Sequence, residues 1–191
     1  MMRMPAVILA GGDSRRWGGF PKALVPFYGV PMAVSMMARL SRQHLVVGLS
    51  VRSDQCVWAD ALSMPLLVEP ASDYPAGPMK GTLDALRHAK ALGSEWVLVV
   101  ACDMPWLPLD IGRQLQVAAQ QQGKRAAVLC DAWGRHALCF VLHVALYALI
   151  EPLLADGEQR VGCYLQAMDA ARLCWRYDPA MLLNLNRPKE D

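Results

Sequence analysis

Two hydrophobic patterns alternate along the chain. One is a short run of consecutive apolar residues, as strands buried on both faces require. The other is an apolar position every third or fourth residue, as on a helix with one buried face. Runs of the first kind fall at 5–10, 44–51, 65–69, within 95–102, and at 124–130, 136–142 and 172–177. The second pattern falls at 32–40, 55–62, about 82–91, 109–122 and 143–155, with a short helix opening near 161. Pro31 suits the first position of its helix, Gly123 closes another, and Pro152 is set to disturb the end of a third. The segment 136–142 follows a turn at 131–135 and is expected to return antiparallel. Strand and helix otherwise alternate. The expected class is α/β, a three-layer Rossmann-like fold with a mainly parallel sheet covered by helices on both faces.

The chain has 191 residues and no repeat, linker or low-complexity segment, so residues 1–191 are expected to form one domain. Hydrophobic residues make up 54%, enough for a packed core. A net charge of +2, without aromatic residues interleaved in a basic patch, argues against nucleic acid as a partner. No apolar stretch nears the roughly 20 residues of a membrane span, and a soluble cytoplasmic protein is expected. The six cysteines include no C-x-x-C pair and give neither a zinc site nor a disulfide framework. Most read as small buried hydrophobes.

The chemistry concentrates where the first run ends. Leu9-Ala10-Gly11-Gly12-Asp13-Ser14-Arg15-Arg16-Trp17-Gly18-Gly19-Phe20-Pro21-Lys22 carries four glycines, two arginines and a lysine directly after a strand. Glycines let a backbone turn its N–H groups onto an anion at close range, and Arg15, Arg16 and Lys22 add charge-assisted bonds to phosphate. The loop is neither a P-loop nor a dinucleotide G-x-G-x-x-G. A second loop, Glu69-Pro70-Ala71-Ser72-Asp73-Tyr74-Pro75-Ala76-Gly77-Pro78-Met79-Lys80-Gly81, leads into a helix whose N-terminus could face an anion. Asp103 follows the most apolar run, at the strand end where ligands bind in open α/β sheets. A carboxylate there can hold Mg²⁺ together with substrate phosphate oxygens.

These stretches resemble the molybdenum cofactor guanylyltransferases. The likeness lies in the Leu9–Lys22 loop, the Gly77-Pro78-x-x-Gly81 element, Cys102-Asp103-x-Pro105, Gly157-Glu158-Gln159-Arg160-Val161 and the close Asn184-Leu185-Asn186. The resemblance implies transfer of GMP from GTP to the phosphate of molybdopterin, with release of pyrophosphate. Lys22, Arg16 and Asp103 would be catalytic, and Asp103 would also be the Mg²⁺ ligand. Leu9, Ala10, Gly11, Gly12, Lys22, Glu69, Gly77, Pro78, Gly81, Asn184 and Asn186 would line the nucleotide and acceptor. The N-terminal half would bind nucleotide and the C-terminal half the pterin acceptor, with Arg160 beside its phosphate. Transient contact with cofactor-biosynthesis proteins and apo-molybdoenzymes is implied as well. The chain departs from the family pattern at Pro21, at Pro70 and at Gly48-Leu49-Ser50-Val51, and the last two bear on the choice of base. The alternatives are a CTP-using relative, another phosphorylated acceptor such as a cobinamide, and a non-catalytic pterin-binding paralogue.

Overall fold

A computed structural model of the chain describes residues 3–12, 18–60, 62–68, 74–131, 133–134 and 136–182. Strand β1 (Pro5–Leu9) leads to a two-residue hairpin, β2 (Pro26–Phe27) and β3 (Val30–Pro31), and then to α1 (Met32–Leu40). The chain continues through β4 (Leu45–Val51), α2 (Cys56–Asp60), β5 (Leu66–Val68), α3 (Pro78–Ala91) and β6 (Trp96–Ala101). It ends with α4 (Ile111–Gln121), β7 (Ala126–Cys130), β8 (His136–His143), α5 (Tyr147–Ala155), α6 (Val161–Ala167) and β9 (Ala171–Cys174).

Seven strands form one sheet in the order β5-β4-β1-β6-β8-β7-β9. Every pairing is parallel except those of β8, which runs antiparallel to both β6 and β7, as expected for 136–142. The parity of each central strand divides the core. Ala6 and Ile8 of β1, with Leu98 and Val100 of β6, meet α1 and α4 through Met36, Leu40 and Leu115. Val7, Val97 and Val99 face the other way, onto Leu83 and Leu86 of α3, Ile150 of α5 and Tyr164 of α6. This is the expected three-layer arrangement. Each fully buried aliphatic side chain contributes about 1.5–3 kcal/mol, and the two central strands divide theirs between both layers.

Several boundaries differ from the sequence reading. Helix α3 starts at Pro78 rather than near Thr82, because a proline at the first helical position lacks only an N–H that would have no intrahelical partner. Pro31 is the N-cap of α1 rather than its first residue. A 3-10 turn over Val144–Leu146 precedes α5, which continues through Pro152. The last strand ends at Cys174. Beyond it the Trp175 indole N–H donates to the Asp178 carbonyl (3.0 Å), drawing the chain into a turn. All six cysteines are free; Cys102, Cys130 and Cys139 are buried.

His44 is buried where α1 hands over to β4, against Met4 and Gly112 of α4. Neither ring nitrogen makes a hydrogen bond of good geometry among the described residues. Burial lowers its pKa from 6.5, the Met4 backbone opposes the shift, and Arg3 adds to it. A histidine with a depressed folded pKa contributes its full stability above the unfolded value and loses it as pH falls below that value. Denaturant midpoints measured between pH 7.5 and 5 should therefore fall more steeply for the wild type than for His44→Leu. Parallel slopes would rule out His44 as the cause.

Candidate active site

The sheet order reverses between β1 and β6. From β1 the chain winds outward through β4 and β5, then returns to place β6 on the opposite side of β1. The carboxyl ends of the adjacent strands β1 and β6 lie side by side at this reversal, the usual position of a ligand crevice in such sheets. Backbone bonds fix both exits: Ala10 N–H donates to the Ser50 carbonyl (2.9 Å) and Cys102 N–H to the Leu9 carbonyl (3.0 Å). Gly12 is exposed, has no positive φ, and has open space where a Cβ would stand. Glycine at this position thus leaves room for an incoming group rather than relieving strain. Positive φ belongs instead to Gly18 (62°) and Gly19 (84°).

The two strongest sequence candidates meet at this crevice. The Lys22 ammonium, on a 3-10 turn over Lys22–Leu24, pairs with Oδ2 of Asp103, which is 6% exposed. The other carboxylate oxygen, Oδ1, is buried with no hydrogen-bond partner among the described residues. A buried carboxylate oxygen without a donor is costly, and a hard divalent cation is the natural complement to it. No cluster of three or more metal-ligating side chains exists among the described residues. The residues therefore fit a Mg²⁺-type ion held by one carboxylate and completed by phosphate oxygens, rather than a cage made wholly of protein. The neighbouring Cys102 thiol is pushed up to about 12 by burial and by the Asp103 charge, so it stays neutral and inert.

Two side chains hold the Asp103 loop from outside. Arg39 of α1 donates Nε to the Leu107 carbonyl and Nη2 to the Trp106 carbonyl (3.3 Å). Phe27 of the small hairpin packs edge-on against Trp106, with ring centroids 5.0 Å apart. The segments after Lys22 and after Asp103 are thus packed against each other.

Gly77 and Pro78 cap and begin α3, which packs against β1 and β6. Gly77 supplies no side-chain cap, Pro78 has no N–H, and the Lys80 N–H donates to the Gly77 carbonyl (3.1 Å). Gly81 is buried within the second turn. The sequence reading missed the charge on this helix. Lys80 is buried and pairs with Asp84 (3.5 Å), and Asp84 pairs with Arg87 (3.0 Å). Arg87 donates to the Tyr147 hydroxyl (2.7 Å), and Tyr147 and Tyr74 both donate to Glu151 of α5 (2.5 and 3.3 Å). The available signal was the four- and three-residue spacing of Lys80, Asp84 and Arg87, which lines them up on one helix face. Arg160, expected near an acceptor phosphate, is exposed and forks onto Glu158 (2.8 and 3.0 Å), whose carboxyl it holds well below the usual range. Arg16, Glu69, Asn184 and Asn186 lie outside the described residues. In the C-terminal half a cavity of about 420 Å³ opens beside α6, lined by Val128, Cys130, Leu165, Gln166 and Arg172. Among the described residues, no helix is long and apolar enough to cross a membrane.

Comparison with known proteins agrees with this geometry. The family model described as the MobA-like NTP transferase domain matches residues 6–171. A molybdenum cofactor guanylyltransferase from Cereibacter sphaeroides is 34% identical over 190 residues, covering 99% of this chain and 94% of its own. Among solved structures, molybdopterin-guanine dinucleotide biosynthesis protein A from Archaeoglobus fulgidus superposes with a TM-score of 0.79 at 18% identity, covering 97% and 93% of the two chains. A Mycobacterium tuberculosis protein solved as a complex with manganese gives 0.65 at 14% identity, covering 91% and 88%. The chain belongs to the MobA-like NTP transferase family.

Proposed function

We propose that the protein is a molybdenum cofactor guanylyltransferase, transferring GMP from GTP to the terminal phosphate of molybdopterin. The curated relatives carry that name, and one of them matches nearly the whole chain. The observation that carries the chemistry is the Lys22–Asp103 pair at the β1/β6 crevice, with the second Asp103 oxygen lacking a donor among the described residues. A phosphate oxygen of the acceptor attacks the α-phosphorus of GTP, the bond to the β-phosphate breaks, and pyrophosphate leaves. The attacker is already anionic, so no general base is needed. The protein's task is positioning and neutralising charge.

In this reading Leu9, Ala10, Gly11 and Gly12 bring the backbone against the nucleotide, and Gly77, Pro78 and Gly81 present the α3 N-terminus to it. Lys22 and Arg16 balance charge on the triphosphate. Asp103 would hold a divalent cation, Mg²⁺ in the cell, which would supply positive charge to the triphosphate and to the leaving pyrophosphate. Glu69, Asn184 and Asn186 complete the contacts. The chain acts as one domain, residues 1–191. Its N-terminal half binds nucleotide, and its C-terminal half, with the cavity beside α6, takes the pterin. The product is handed on in the cytoplasm through transient contacts with cofactor-biosynthesis proteins and apo-molybdoenzymes.

Calorimetric titration with GTP, CTP and ATP, each with and without Mg²⁺, tests the reading. GTP should bind selectively and more tightly with metal. Selective CTP binding would overturn the choice of base, and failure to bind any nucleotide would overturn the enzyme assignment.

A further inference from the structure

We propose that Arg52 and Gln55, on the turn after β4, are positioning residues that aim the Gly11–Gly12 backbone at the nucleotide's phosphates. The proposal rests on the nucleotide reading above. Arg52 Nη1 donates to the Gly11 carbonyl (3.2 Å), and Gln55 Nε2 donates to the Gly12 carbonyl (3.3 Å). The two grips are themselves fixed. The Arg52 backbone N–H donates to Gln55 Oε1 (3.3 Å), so the amide must offer its NH₂ group to the loop. The rest of the guanidinium lies on Asp54, with Nε and Nη2 each 3.0 Å from its carboxylate oxygens.

The consequence follows from the planar trans peptide, in which a carbonyl and the next N–H point in opposite directions. Arg52 grips the Gly11 carbonyl from the β4 side of β1. The Gly12 N–H is therefore turned toward the β6 side, where Lys22 and Asp103 stand. The Gly12 carbonyl, whose oxygen would repel a phosphate, is likewise held on the Gln55 side. Gly12 is exposed, and among the described residues nothing stands where its Cβ would be, so the residue is open to an incoming group. Water could satisfy the exposed Gly12 carbonyl as well as the Gln55 amide does, so the Gln55 grip does little for stability and more for orientation.

Gln55→Glu keeps the side chain's size while facing the Gly12 carbonyl with oxygen instead of an N–H. Arg52→Ala removes the other grip, and Arg52→Lys keeps one donor. Affinities for GTP and for inorganic tripolyphosphate, both with Mg²⁺, should fall about tenfold in Gln55→Glu and Arg52→Ala, about what one lost or reversed hydrogen bond gives. Guanosine affinity, followed by NMR titration, should not change, and Arg52→Lys should recover most of the loss. Wild-type affinity for tripolyphosphate in both variants would overturn the proposal. So would guanosine and tripolyphosphate affinities falling together, as a collapsed loop would produce. A wild-type protein that binds no GTP would instead overturn the nucleotide reading, and this proposal with it.

Discussion

Asp103→Ala should lower kcat/KM for guanylyl transfer by at least about 10³, roughly 4 kcal/mol of transition-state stabilisation. The carboxylate has two separate jobs at the crevice. Oδ2 neutralises Lys22, and Oδ1 is the buried oxygen without a donor that suits a cation. Alanine removes both and leaves the Lys22 charge without this partner. Asp103→Asn keeps the shape and a neutral oxygen but loses the charge, so it should recover little. The paired geometry also predicts an opposite sign at Lys22. In Lys22→Met the ammonium no longer competes for Asp103, so Mn²⁺ alone, followed by its EPR signal, should bind more tightly than to wild type. GTP should bind less tightly in the same variant, because a phosphate partner is gone. Asp103→Ala should lose Mn²⁺ binding outright. If Lys22→Met and Asp103→Ala weaken Mn²⁺ binding alike, the metal is held elsewhere and Asp103 is a structural partner of Lys22.

Those two residues illustrate what the sequence made legible. Each stood out alone: Lys22 closed a glycine-rich loop after a strand, and Asp103 ended the most apolar run. That they touch depends on β6 lying beside β1, which only the winding of the sheet decides. The α/β class followed from runs such as 96–101, whose residues are buried on both parities, and α1 matched its expected bounds. The misreadings arose where a local signal had two meanings. Pro78 marked a helix start; Gly81 looked like a loop residue, with the helical run beginning near Thr82, yet the glycine is buried inside α3. Trp175 and Tyr177 looked like strand residues, yet their rings stack edge to face at 5.0 Å beyond the end of β9. The Lys80–Asp84–Arg87 chain has the four- and three-residue spacing of helix ion pairs, but it becomes legible only once 78–91 is taken as one helix. The Arg52–Gln55 grip could not be read, because nothing in the sequence says which backbone carbonyl a loop side chain will meet. Function was legible mainly through resemblance: the motifs, taken in order, pointed to one family.

Gly48→Ala should be the most destabilising single-methyl substitution in the sheet, at about 2–4 kcal/mol, the size expected where a methyl collides with backbone in a packed core. Gly48 follows a bulge in β4: Ala6 pairs with Val46 and Val7 with Gly48, leaving one residue over. Its φ is 155°, and a Cβ would lie 2.5 Å from the Pro65 carbonyl oxygen and 2.9 Å from its carbon. That oxygen accepts the Leu49 N–H at 2.9 Å, so it cannot withdraw without breaking the bond that starts the β4–β5 pairing. For a chain of this length each kcal/mol shifts Tm by about 2–4 °C, so a fall of roughly 4–16 °C is expected. Gly18→Ala is the contrast. Its φ of 62° disfavours alanine but the space around it is open, so about 1 kcal/mol should be lost. Equal Tm shifts in the two variants would mean that β5 moves aside and the collision is not felt. The strain also has a functional reach. The bulge sets the register in which the Ser50 carbonyl receives the Ala10 N–H and in which the turn carrying Arg52 and Gln55 meets the glycine loop. Gly48→Ala should therefore weaken GTP binding at temperatures where the protein remains folded, by displacing the phosphate loop rather than by removing a ligand contact.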